Sequence, residues 1–160
     1  MTNAILTTAE QARQFINAGN ATVTLVSKAT GNRFTYRIRA PQNPVCGGLD
    51  TNSPMRFVSL LNGSDNENNY AYFGYIRWGI FFHGGAKAKV RAGTPSAKGF
   101  ALVWQSLQQD AIPAWVEIWH EGRCGRCARK LTVPASIASG FGPECAGRIG
   151  IPTAFLAEAV

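Results

Sequence analysis

The chain has 160 residues, a formal net charge of +7 and an apolar share of 46%, enough for one domain with a real core and inconsistent with wholesale disorder. Charged residues make up only 16%, with 16 Lys+Arg against 9 Asp+Glu, so the positive balance reflects a shortage of acids and points to polyanions or acidic protein surfaces as partners. No run approaches the ~18 continuous apolar residues of a membrane span, and Glu10, Gln11 and Arg13 interrupt the N-terminal stretch where a secretory signal would be apolar, so the expected setting is the cytoplasm, where thiols stay reduced.

Thr7-Thr-Ala-Glu10 reads as a capping box with Thr7 as N-cap. The helix it opens should run to about Ala18 and stop at Gly19, with Ala9, Ala12, Phe15 and Ile16 on one side. Thr22 to Lys28 and Arg33 to Ala40 flank a Gly-Asn turn and predict a hairpin. Phe34, Tyr36 and Ile38 should point one way along its second arm; Arg33, Thr35, Arg37 and Arg39 should point the other. Pro41 to Pro54 is a loop rich in Pro, Gly and Asn. Arg56 to Leu61 and Tyr70 to Arg77 are two further strands, joined by the polar run Asn62 to Asn69. Gly79, Gly84 and Gly85 break the next segment, and Ala86 to Arg91 reads as a short basic strand with Lys87, Lys89 and Arg91 on one face. Thr94-Pro95 starts a second helix, with Pro in its favoured first position and a stripe of Phe100, Val103, Trp104 and Leu107. Ala114 to Trp119 is a last strand, leading into His120. The expected class is α+β: a mainly antiparallel sheet packed by one or two helices over residues 1–119, a small cysteine-bearing module over 120–150 and a tail over 151–160.

The cysteines carry the strongest chemical signal. His120, Cys124, Cys127 and Cys145 have the spacing H-x3-C-x2-C-x17-C. Two cysteines two residues apart bend around one ion with little strain, and Gly125 lets backbone amides turn toward the sulfurs. Cys145 then returns from the far side of a loop. Pro143 suits the first helical position, placing Cys145 in a first helical turn where the helix dipole favours a thiolate. Sulfur and imidazole donors with four-coordinate closure describe structural zinc. His120 is the nearest candidate for the fourth ligand and Cys46 the alternative. A redox Cys-x-x-Cys should open a long helix within a βαβ unit; here Pro134 follows seven residues after Cys127 and argues against one.

The run Cys124-Gly-Arg-Cys127-Ala-Arg-Lys-Leu131, the step Pro134-Ala-Ser136-Ile137 and the closing Gly140-Phe-Gly142-Pro143-Glu-Cys145 resemble an uncharacterised family of small zinc-binding domains. These recur, usually at the C-terminus, in phage and mobile-element proteins. The family pattern is C-x-x-C-G-R-x-L, then P-x-S-I, then G-x-G-P-x-C. This chain departs from it at Ala128, where Gly is usual; Ala there is strained if the position needs positive φ. Val116-Glu-Ile-Trp119-His120 is also similar to sequence found upstream of such domains. The resemblance implies a zinc knuckle, a mobile-element origin and the cytoplasm of a host cell; it implies no activity.

Convergent acid, base and nucleophile groups are not legible. His83 stands among aromatics, and Asp50, Asp65 and Asp110 are scattered, so the expectation is a protein that is not an enzyme. A zinc held by three cysteines with water in the fourth position is the enzymatic reading; three thiolates make it a weak Lewis acid. Binding fits the charge pattern. Arg33, Arg37 and Arg39 share a hairpin face, Lys87, Lys89 and Arg91 share another, and Arg123, Arg126, Arg129 and Lys130 sit in the zinc segment. Such arrays contact phosphates, with Tyr70, Tyr72, Trp78, Phe81 and Phe82 as candidates to stack on unpaired bases. The expected partner is nucleic acid or a host nucleoprotein machine. The alternative is an inhibitor of a host defence complex, of anti-CRISPR or anti-restriction type, that docks on protein. Zinc removal should melt the C-terminal module before the body.

Overall fold

Period-two alternation of apolar side chains builds a single antiparallel sheet of seven strands in the computed structural model, which describes residues 4–65, 67–132 and 134–151. The expected tail lies outside these residues except for Ile151. The strands are β1 (Ile5–Leu6), β2 (Asn20–Ser27), β3 (Arg33–Arg39), β4 (Met55–Leu61), β5 (Tyr70–Arg77), β6 (Ile80–His83) and β7 (Val116–His120). Their spatial order is β1-β7-β2-β3-β4-β5-β6. The five strands β2 to β6 form a meander, and β7 returns beside β2, with β1 closing that edge through Ile5–Trp119 and Leu6–Ile118 pairs. The α+β class and the antiparallel sheet are as the sequence predicts.

Among the described residues four α-helices accompany the sheet: α1 (Ala9–Ile16), α2 (Pro95–Gln108), α3 (Pro134–Ser139) and α4 (Pro143–Arg148). The α1 cap is Thr8 rather than Thr7; its hydroxyl accepts from the Gln11 N–H at 3.1 Å, and Gln11, not Glu10, reaches back to the Thr7 backbone N–H at 3.3 Å. Gln can take the role of Glu at this position, but here it accepts from the residue before the cap rather than from the cap itself. Helix α2 begins with Thr94 as cap and Pro95 inside it, as the sequence predicts. Its first turn is pinned to the sheet by the buried Tyr36, whose hydroxyl donates to the Ser96 carbonyl at 2.6 Å.

The expected basic strand over Ala86–Arg91 is absent. Gly85 takes φ +60° and Gly85–Lys87 form a 3-10 turn instead. His83 holds that loop from both ring nitrogens: Nδ1 accepts from the Gly85 N–H at 3.1 Å and Nε2 donates to the Val90 carbonyl at 2.8 Å. Lys87, Lys89 and Arg91 are exposed but share no strand face.

One side of the sheet carries the core. Val23, Leu25, Tyr36, Ile38, Val58, Leu60, Phe73, Ile76 and Ile118 are buried there against Phe15 and Ile16 of α1 and Phe100, Val103, Trp104 and Leu107 of α2. The same buried cluster contains Cys124, Leu131, Ile137, Phe141, Cys145 and Ala146. Packing is thus continuous across the expected boundary at 119/120. Gly125 shows how close the approach is: a Cβ there would meet the Phe15 ring at 2.7 Å.

Candidate functional site

Cys124, Cys127 and Cys145 converge, their sulfurs all within 4.8 Å of one another. The local chain explains this. The knuckle is a tight turn closed by the Ala128 N–H on the Cys124 carbonyl at 2.8 Å and the Cys124 N–H on the Arg129 carbonyl at 2.9 Å. Ala128 takes φ +63°, the left-handed conformation that the resemblance's usual Gly would adopt without strain. Pro143 opens α4 behind the cap residue Gly142 and brings Cys145 into the first turn, as the sequence predicts. The knuckle is tied to the body by the Asn20 N–H on the Gly125 carbonyl at 2.9 Å and to the residue that follows α3 by the Gly125 N–H on the Gly140 carbonyl at 3.0 Å.

The electrostatics suit a soft cation. Burial raises the Cys124 thiol, but backbone N–H groups of Cys127, Gly142 and Arg126 directed at its sulfur outweigh burial and lower it overall. Burial pushes the Cys145 thiol up to about 11, against the contact of Arg126 Nη1 with its sulfur at 3.8 Å. Unligated, Cys145 would hold its proton; a metal displaces it. Three close thiols with N–H groups aimed at one sulfur can hold a metal ion. Among the described residues no fourth His, Cys, Asp or Glu joins them.

His120, the expected fourth ligand, is engaged elsewhere. It is buried at the end of β7, its Nε2 donating to the Ile137 carbonyl and its Nδ1 accepting from the Gly122 N–H at 3.0 Å. Both nitrogens are occupied, and the ring packs on Phe15 with centroids 5.3 Å apart. Proximity in sequence suggested a ligand; the fold uses the imidazole to tie β7 to α3. Cys46, the alternative, is exposed in the loop before β4 and lies outside the trio.

The second feature is the sheet face opposite the core. Arg33, Arg37 and Arg39 project there from β3, as the alternation predicts, with Phe57 from β4 and Tyr70, Tyr72, Tyr75 and Arg77 from β5. A bulge in β5 at Phe73, where the register against Val58 and Ser59 shifts, is why tyrosines at 70, 72 and 75 share one face. The Arg37 guanidinium carbon stands 3.8 Å from the Tyr70 ring centroid. Phe57 meets Tyr72 edge-on at 6.3 Å, and Tyr75 stacks on Phe82 of β6 at 5.3 Å. At one end this face runs into a polar groove of about 590 Å³ lined by Arg37, Arg39, Tyr70, Glu67, Glu121 and Arg123. The three-cysteine segment and the arginine-bearing hairpin therefore share a surface.

Of the expected stacking residues, Tyr70, Tyr72 and Phe82 lie on this face. Phe81 does not: it packs inward on Phe73 at 5.9 Å and Phe100 at 5.2 Å. Trp78 is 75% exposed at the turn between β5 and β6. Phe57, Tyr75 and Arg77 were not anticipated; period-two reading of β4 from Phe57 would have found the first, whereas the other two needed the bulge. Arg126 faces Cys145, and Arg129 and Lys130 are exposed on the knuckle, where Arg123 and Lys130 form an isolated bridge. Among the described residues no helix is long and apolar enough to cross a membrane.

No curated protein and no solved structure matches the chain significantly. Residues 119–150, the stretch that contains His120 and the three cysteines, match the model of a family of unknown function, DUF6011.

Proposed function

We propose that the chain is a non-enzymatic, zinc-stabilised protein that binds single-stranded nucleic acid across the open face of its sheet. The observation that carries this reading is the pairing of charge and ring: Arg37 lies over Tyr70, between Arg33 and Arg39, on a face that also presents Phe57, Tyr72, Tyr75 and Phe82. Aromatic faces stack on bases that a duplex would hide, and the flanking guanidiniums neutralise phosphates. The groove of Arg37, Arg39 and Arg123, which Glu67 and Glu121 offset in part, continues this face to the three-cysteine segment. Three thiol donors favour zinc over harder cations, and such an ion would fold the knuckle that carries Arg123. The resemblance to mobile-element zinc domains supports an accessory protein working in a host cytoplasm, directly on nucleic acid or on a nucleoprotein machine.

A second reading, docking on a host defence complex, is favoured by the apolar edge at β6. Trp78, Ile80 and Phe82 are 75%, 58% and 42% exposed there, beside a basic face.

Fluorescence anisotropy with labelled single-stranded and duplex oligonucleotides at increasing salt tests the first reading. Single strands should bind more tightly than duplex, with affinity falling steeply as salt rises. Absence of any binding at low salt would reject it. Recovery of a stoichiometric nuclease complex from host lysate, without nucleic acid, would favour the second.

A further inference from the structure

On the core side of the sheet, away from the open face, four guanidiniums from separate segments line one cleft. Helix α1, the start of β4 and the loop before it, the knuckle and the end of α4 border an open cleft of about 440 Å³ lined by Arg13, Asn17, Asn52, Arg56, Arg126 and Arg148, with further polar groups between them.

The charge there is only partly compensated. Arg13 pairs with Asp110 at 3.1 Å and Arg148 with Glu144 at 3.0 Å, and both acids are largely exposed. Arg126 has the Cys145 sulfur at 3.8 Å. Arg56 is 4% exposed, and its bonds go to main-chain carbonyls: Asn17 at 3.0 Å and Thr51, Ser53 and Met55 at 2.8 Å each. Carbonyl dipoles orient a guanidinium without cancelling its charge. Among the described residues no carboxylate reaches it within ion-pair distance, and Asp50 acts on it only from farther away. A buried cation in a concave wall projects its field into the cleft with little screening.

The lining also defines the shape of the ligand. No aromatic ring lines the cleft, so nothing there would stack on a base. Asn17 and Asn52 amides add neutral hydrogen-bonding groups between the guanidiniums. Planar guanidinium forks match the oxygens of a tetrahedral phosphate, and several around one centre neutralise a doubly charged anion.

We infer that this cleft is a phosphate-binding site, taking free inorganic phosphate or the phosphate monoester of a small ligand. It is separate from the sheet face and does not depend on nucleic-acid binding there.

Isothermal titration of the full-length, zinc-loaded chain with inorganic phosphate, at ionic strength fixed with sodium chloride, tests it. Saturable one-site binding is expected. Arg126→Gln with Arg148→Gln should weaken it at least about ten-fold, the loss of a charge-assisted hydrogen bond or more. Asn52→Asp, an exposed change that places a carboxylate in the cleft, should weaken it similarly and keeps the test valid if the arginine pair fails to fold. Lys28→Gln, at the exposed turn between β2 and β3, should titrate like the parent. Titration with adenosine monophosphate distinguishes the sources: tighter binding than inorganic phosphate assigns a monoester, weaker binding the free ion. No heat beyond the chloride control, or equal affinity in parent, Asn52→Asp and the arginine pair, would overturn the proposal.

Discussion

Gly125 in the knuckle stands against Phe15 in α1 with no room for a side chain: a Cβ at Gly125 would lie 2.7 Å from the ring. Gly140, hydrogen-bonded to Gly125, crowds the same edge of that ring: a Cβ there would lie 2.5 Å from it. The three-cysteine segment is therefore packed into the body rather than appended to it, and the expectation that it melts first changes. Chelation should lower the midpoint of a single cooperative unfolding transition, because an ion bound only by the native state stabilises everything that folds with it. Gly125→Ala should destabilise by about 1–3 kcal/mol through overpacking. Calorimetry of parent, chelated protein and variant checks this; two resolved transitions after chelation, or parental melting in Gly125→Ala, would contradict it.

Ala128 is the opposite case, a residue with a Cβ where none is wanted. At φ +63° it carries the left-handed penalty of roughly 1–2 kcal/mol. Ala128→Gly relieves that penalty but adds freedom to the unfolded chain. The net expectation is a gain of about 0.5–1 kcal/mol by urea denaturation, with unchanged metal content. A loss of stability would show that the methyl group makes contacts worth more than the strain.

These two positions show what could be read ahead of the fold. Local signals were legible. Arginine alternation in β3 fixed its exposed face, Thr94-Pro95 fixed the start of α2, and Pro143 placed Cys145 in a first helical turn. What depended on partners distant in sequence was not. β1 is two residues long and exists because β7 offers an edge. The bulge at Phe73 turns Tyr75 and Arg77 onto the open face, and no pattern within β5 marks it. Arg56 looks like a solvated strand residue, yet carbonyls from the end of α1 and the loop before β4 gather around it. His120 looked like a ligand because it is four residues from Cys124; the Ile137 carbonyl that claims it is seventeen residues away.

The metal centre should titrate as a three-cysteine site. If the trio holds the metal, Cys124→Ser, Cys127→Ser and Cys145→Ser should each lower the metal content, whereas Cys46→Ser, in an exposed loop, should leave it unchanged. His120→Gln should also retain the metal, since neither ring nitrogen faces the sulfurs as a free donor. Metal analysis of each purified variant decides. Loss of zinc in His120→Gln with the fold intact would restore the imidazole to the ligand set.

On the sheet face, charge and stacking should separate experimentally. Arg37→Gln removes a phosphate contact and should reduce the salt slope of single-strand binding by about 1, weakening all sequences alike. Tyr72→Ala removes a stacking surface and should cost about 1–3 kcal/mol with the slope unchanged. Phe81→Ala is a different control: its ring is packed on Phe100, so its effect should appear in melting temperature. Equal salt slopes in parent and Arg37→Gln would remove that arginine from the phosphate contacts.

His120 makes stability depend on pH in a defined direction. Burial lowers its proton affinity, a trend the bond to the Ile137 carbonyl opposes without reversing. The arrangement also requires the neutral ring, because Nδ1 accepts from the Gly122 N–H and a second ring proton would point at that donor. A folded pKa below the unfolded value of about 6.5 means that the unfolded chain binds more protons between the two values. The imidazole's contribution is therefore complete above about pH 6.5 and is lost as pH falls through that value toward the folded pKa. Urea midpoints of the parent should drop between about pH 7.5 and 5.5. Protonation of the cysteine ligands would lower stability in the same direction, so the comparison must be with His120→Gln, which keeps the sulfurs and an amide donor for Ile137. The variant should start less stable at the higher pH and fall less steeply. Parallel profiles would show that His120 does not carry the pH dependence.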